Sequence, residues 1–298
     1  MNKPIVFLRS DPEDAFSGYV WEHFAHHPAV KLVEFEEIAR HLQPTPWPQV
    51  VTASYPDDLI DTFRDAHVIN RVFNIDPDIV QSGLLAHGPH ELWLHVITQP
   101  LLNSAASLAH DMGTRGVSRS LPPLNTQWLS MSDAGRNGIK VPHFVFGFGG
   151  ADPDVSGVQN SMQKSIWSYF DWKVERHLPR AEKGWHKFFV ESPAGEPVIC
   201  HYLGAHTWQT FPRGQALDLD EEQMASIIAR ARICFASSIG EVLLYLEEGG
   251  QLRFHAFSPH LSAAVQSEAF PQTVERWIEE MASIPVSTAR HHWSPEIA

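Results

Sequence analysis

The chain has 298 residues, 43% hydrophobic and 19% charged, a folded-protein balance with length for one large domain or two to three subdomains. A formal net charge of −13 repels nucleic acid and anionic membrane surfaces at long range, so neither is expected as a partner. No run of about 18 apolar residues exists, no signal-peptide core opens the chain, and Cys200 and Cys234 lie in apolar runs without CxxC spacing. These features lead us to expect a cytoplasmic protein with reduced thiols.

In chain order, residues 4–9 (PIVFLR) read as a strand, 15–27 as an amphipathic helix and 30–35 (VKLVEF) as an alternating strand. This β–α–β start is that of a parallel α/β domain. Residues 36–60 are loop-rich, and 66–72 (AHVINRV) form a short buried strand. A helix is predicted over 78–86 and a second helical stretch over 91–105. Within residues 103–125 an irregular Gly- and Pro-bearing stretch marks a linker or loop between subdomains. Residues 126–137 read as a helix with Gly138 at its C-terminal cap, followed by a strand within 139–150. A Gly/Asp-rich loop, 147–157, leads into a predicted helix over 158–165, and 166–174 (IWSYFDWKV), 185–191 and 197–203 read as strands. Residues 220–236 form a clean amphipathic helix with Asp220 as N-cap and Glu221 and Glu222 in its first turn. Two apolar runs, 241–246 and 252–257, flank a Glu248-Gly249-Gly250 turn as a β-hairpin closed by Ser258-Pro259, and a last helix spans 272–281.

Four segments in this order resemble the ATP-grasp superfamily, nearest to the ribosomal-protein-S6-modifying ligases and the graspetide peptide maturases. Val68-Ile69-Asn70-Arg71 resembles the strand ending the N-terminal domain. Residues 127–144 resemble a lysine, a helix and a "Gi.vP.t" strand. Residues 170–174 (FDWKV) resemble the "vvvK" strand, and 188–204 the strand pair after it. Residues 220–259 resemble the helix and hairpin that hold the magnesium-binding acids. The resemblance implies an α/β (α+β) fold: an N-terminal parallel α/β domain, 1–120, then two α+β subdomains, 121–204 and 205–298, enclosing a cleft.

Ligases of this kind activate a carboxylate as an acyl phosphate, and magnesium and cationic side chains neutralise the transferring phosphoryl group. Magnesium wants hard oxygen ligands. The resemblance places its Asp at Leu243, its Glu at Ala256 and its Asn at Ser258, none a good ligand. Glu241 shares the facing of Leu243 and is the candidate for a displaced carboxylate. Of the two nucleotide lysines, one falls on Gln127 and one on Lys173, and the central-strand arginine falls on Ile199. Gln127, Lys173 and Glu241 are therefore the candidate nucleotide-binding residues, with ATP and magnesium the implied but weakened cofactors.

Eighteen histidines invite a metal reading, although no HExxH motif occurs. Among them His201, His206, His255 and His260 are the candidates to converge in the cleft and hold a softer metal such as zinc or iron. Three functions follow. The first is a degenerate ATP-grasp-like protein that binds a peptide, an amino acid or a partner enzyme in a peptide-modification or natural-product pathway. The second is an active ATP-dependent carboxylate–amine ligase with a rewired site. The third is a histidine-based metal enzyme using the same cleft. A homodimer, or a heterodimer with an active relative, is expected by analogy only.

Overall fold

The computed structural model describes residues 4–11, 13–44, 51–53, 55–64, 66–72, 107–108, 122–132, 139–148, 154–158, 160–164 and 186–284. The chain opens with strand β1 (Ile5–Arg9), helix α1 (Ala15–Phe24) and strand β2 (Val30–Glu34), as expected. Four consecutive apolar residues of β1, Ile5 to Leu8, are fully buried, the mark of a parallel strand covered on both faces. Asp14 caps α1 by accepting from the Ser17 N–H at 3.2 Å.

The expected loop at 36–60 instead holds helix α2 (Phe35–Ala39), the small pair β3 (Leu42–Pro44) and β4 (Val51–Ala53), and helix α3 (Asp57–Phe63). Each is too short to show a period among the prolines. Strand β5 (His67–Arg71) and the two-residue β6 (Ser107–Leu108) complete a parallel sheet in the order β2-β1-β5-β6. The helices expected over 78–86 and 91–105 lie outside the described residues.

Helix α4 (Leu124–Ser132) and strand β7 (Phe144–Phe148) follow. The helix predicted over 158–165 is a correction: Ser161–Gln163 form strand β8. Asn160, at φ +47°, breaks any helical run before it, and Ser161, Met162 and Gln163 pair with strand β9 (His186–Glu191). Strands β7, β9 and β8 make an antiparallel three-stranded sheet in that order. The strand expected over 166–174 lies outside the described residues.

A larger antiparallel sheet carries the rest: β10 (Glu196–Leu203), β11 (His206–Thr210), β12 (Ile239–Leu246) and β13 (Leu252–Ser258), ordered β11-β10-β12-β13. The boundary expected at 204 falls between β10 and β11, which pair with each other. Helix α5 (Glu221–Phe235) starts at the Asp220 cap and buries Ile227, Ile228, Ala231 and Phe235 on one stripe. Phe235 stacks on Phe257 at 4.4 Å, fixing this helix on the outer face of the hairpin β12–β13. The last helix, α6 (Phe270–Ser283), buries Phe270, Val274, Trp277 and Ile278 against the N-terminal sheet, with Phe7 edge-on to Trp277. No helix of the described residues is long and apolar enough to cross a membrane.

Gly195 turns β9 into β10 at φ +111°, and a Cβ there would collide with the Leu246 backbone carbonyl. Gly195→Ala is expected to destabilise by about 1–3 kcal/mol, read as a lower midpoint in thermal denaturation.

Candidate functional site

Alternation along the hairpin sends Ile239, Glu241, Leu243 and Tyr245 to the face opposite α5, across from Ser258, Ala256 and Arg253 on β13. His201, Ile199 and Pro197 of β10 share that face. Leu243 and Ala256 pair directly and are fully buried, and Ile199 sits beside Leu243. An aliphatic patch thus occupies the positions where the resemblance puts a magnesium-binding Asp and Glu. Among the described residues this face does not fit a magnesium ion: it offers the Ser258 hydroxyl and the Glu241 carboxylate but no pair of carboxylates.

Glu241 is 2% exposed. Its Oε1 accepts from the backbone N–H groups of Ala263 at 2.9 Å and Ala264 at 3.1 Å. Burial pushes its carboxyl up to about 7, against the pull of those two N–H groups and of Arg71. His201 lies beside it, Nδ1 4.0 Å from Oε1, with Nε2 against the Thr210 hydroxyl at 2.8 Å. Burial lowers His201 to about 3, so the imidazole is neutral. Glu241 is on the expected face, with its carboxylate turned to the backbone of residues 263–264.

Gln127 is fully buried on α4, and its amide works as a strand would. Its Oε1 accepts from the Phe257 N–H at 2.8 Å, and its Nε2 donates to the Phe257 carbonyl at 3.3 Å and the Pro122 carbonyl at 3.0 Å. The neighbouring Trp128 Nε1–H donates to the His255 carbonyl at 2.6 Å. Together with the bridge from Lys140 to Arg253, α4 closes the outer edge of β13.

Lys173 lies outside the described residues. A different lysine, Lys164, stands directly after β8, 4% exposed, with Nζ 3.0 Å from His255 Nε2. His255 occupies a β-bulge: Leu243 pairs with Ala256 but Leu244 pairs with Phe254, leaving His255 as the extra residue. Burial, then the positive charges of Lys164 and Arg253, hold His255 well below its ordinary range. Neutral His255 therefore accepts from the ammonium through Nε2 and carries its proton on Nδ1. Arg253 bonds Glu191 through Nη1 at 2.6 Å and lies 2.6 Å from Glu247 through Nε, while Lys140 also reaches Glu247 at 2.6 Å. Burial acts to raise Glu191, but the hydrogen bonds from Arg253 and the His143 N–H outweigh it and hold the carboxyl low. This charged network ties the three-stranded sheet to the hairpin.

The four candidate histidines do not come together. His201 faces Thr210 and Glu241, His206 pairs with Glu280 at 2.9 Å, His255 meets Lys164, and His260 lies near Arg71. Among the described residues no three His, Cys, Asp or Glu side chains gather in a metal-binding group. Lys164 and Arg253 were not singled out in the sequence. The signal for Lys164 is the run SMQK after the turn residues Ser156, Gly157 and Asn160, a strand-ending lysine nine positions before the one in FDWKV.

A scan against protein-family models finds no match, and a comparison with curated proteins finds none either. Solved structures do match over nearly the whole chain. The ATP-grasp ligase PsnB complexed with precursor peptide PsnA2 and AMPPNP superposes with a TM-score of 0.62 at 12% identity, covering 95% of this chain and 98% of that one. The macrocyclase MdnB from Microcystis aeruginosa MRC gives 0.57 at 11% identity, covering 95% and 100%. A RimK-domain ATP-grasp protein from Sphaerobacter thermophilus DSM 20745 gives 0.51 at 14%, covering 93% and 98%. With the parallel sheet, the three-stranded sheet and the hairpin sheet in place, these likenesses establish that the chain has the ATP-grasp fold.

Proposed function

We propose that this protein serves peptide modification as a binding member of the ATP-grasp fold: it takes a peptide, an amino acid or a partner enzyme and does not run the magnesium-dependent ligase reaction. One observation carries the reading. The hairpin face opposite α5 pairs Leu243 with Ala256, both buried, and its carboxylate, Glu241, holds the backbone of residues 263–264. Aliphatic side chains cannot neutralise a transferring phosphoryl group, and a carboxylate engaged by two N–H donors and raised to about 7 is a poor cation ligand. The peptide side of the proposal rests on the likeness to PsnB, whose structure holds a precursor peptide, and to the macrocyclase MdnB.

A second reading, an active carboxylate–amine ligase with a rewired site, is favoured by one feature. Lys164 is a buried cation directly after a short strand of the small sheet, nine positions before Lys173, where the resemblance puts the lysine for nucleotide phosphate. An assay of phosphate release from ATP with magnesium, across a panel of peptides, separates the two. The binding reading expects release no faster than a protein-free control. Turnover abolished by Lys164→Ala or Lys173→Ala, in a variant that still folds, would establish the ligase instead.

A further inference from the structure

The N-terminal sheet ends on β2, and among the described residues no strand pairs with its outer side. The register with β1 decides which backbone groups that side presents. The Ile5 N–H donates to the Ala29 carbonyl at 2.6 Å, and Ile5 is paired with Val30. In a parallel ladder the groups of Ala29, Lys31 and Val33 therefore turn toward β1, and those of Val30, Leu32 and Glu34 turn outward. Some of the outward groups are already engaged. The Val30 N–H donates to the His27 carbonyl at 3.0 Å. Glu34 is the N-cap of α2, so its carbonyl accepts the first bond of that helix. What is left is the Val30 carbonyl, the Leu32 N–H and carbonyl, and the Glu34 N–H.

This remainder reads the same from both ends. Consider an antiparallel copy of β2 turned about a two-fold axis through Leu32. The two Leu32 residues exchange both N–H···O bonds, and each Glu34 N–H meets the other copy's Val30 carbonyl. Every free group then has a partner, and no engaged group is asked to bond twice. A register shifted by one sets Leu32 against Val33, whose groups are held by β1, and makes none of these bonds.

The side chains agree with the backbone. Lys31 is exposed near one end of the strand, and Glu36 and Glu37 are exposed just past the other. Antiparallel pairing lays each basic end beside the acidic end of the other copy, where parallel pairing would put like charges together. Leu32 is half-buried, and the exposed Trp21 stands on the α1 side of the same edge groove, with Leu59 on the α3 side. Two Leu32 side chains on the axis make an apolar centre, and Trp21 supplies the aromatic rim that interfaces favour.

We propose that β2 is a self-association edge: two copies of this chain join there, antiparallel about Leu32, and their N-terminal sheets become one continuous sheet. The contact involves no residue of the hairpin face, so it stands or falls apart from the peptide reading.

Sedimentation velocity of the full chain over a range of micromolar concentrations, joined to hydrogen exchange at the same concentrations, tests this. A monomer–dimer equilibrium is expected. Once about nine in ten chains are paired, exchange at the Leu32 and Glu34 amides should slow about tenfold relative to the dilute monomer. The Gly18 amide, bonded to the Asp14 carbonyl at the start of α1, should keep its rate. Leu32→Pro removes the outward N–H and spares the β1 ladder, so it should sediment as a monomer with its fold intact. A native chain that stays monomeric would mean that Lys31 blunts the edge instead, and would overturn the proposal. So would a dimer whose Leu32 and Glu34 amides exchange as fast as in the dilute protein, since it must use another surface. The exchange measurement is made on the native chain and decides even where the proline variant does not fold.

Discussion

Arg71→Met is expected to cost about 3–5 kcal/mol of folding stability, the largest single-site effect we foresee. The arginine is fully buried, and its removal strands the Asp14 carboxylate without its counter-charge and leaves the Pro259 carbonyl without its donor. It also cuts a tie between the N-terminal sheet and the end of the hairpin, 188 residues apart in sequence. The pH dependence identifies the mechanism. In the native chain burial acts to raise the Asp14 carboxyl, but the charge and hydrogen bonds of Arg71 with those of Ser17 outweigh it and hold the group below its ordinary 3.8, so its contribution is present above that value and lost as pH falls through the lower folded one. In Arg71→Met burial is opposed mainly by the Ser17 hydrogen bonds, the carboxyl rises, and the variant should recover part of its loss on mild acidification. Urea denaturation at about pH 5 and pH 7.5 reads both effects. Arg71→Lys should rescue little, because a point charge cannot reach the Asp14 carboxylate and the Pro259 carbonyl with one fork.

Gln127→Leu is expected to cost about 2–4 kcal/mol, since it leaves the Phe257 N–H and carbonyl buried without their partners. Gln127→Lys is the more informative companion. An ammonium cannot accept from the Phe257 N–H, so the family-like lysine should be as damaging as leucine. A lysine tolerated without loss of thermal midpoint would mean that the position still opens toward a phosphate site.

Much of the fold was legible because its signals are local. The apolar run of β1, the Asp220 cap of α5, and the paired glycines Gly249 and Gly250, both at positive φ, each speak for themselves within a few residues. The three residues of β8 show no period, and only their pairing with β9 makes them a strand. The site was less legible for a related reason. The absence of acids at Leu243 and Ala256 could be read directly, but what Gln127 and Lys164 do is settled by partners 130 and 91 residues away. Glu241 faces the expected side of the sheet, yet the amides that occupy it come from the segment beyond the hairpin, which carries no motif.

We propose that the hairpin face holds no magnesium site while the ATP-grasp fold around it persists. Isothermal titration calorimetry of the purified chain with ADP, with and without magnesium, tests it most directly. We predict no magnesium-dependent heat at millimolar nucleotide. Magnesium-dependent ADP binding that disappears in Lys164→Ala, with the variant still folded, would contradict the account and restore the ligase reading.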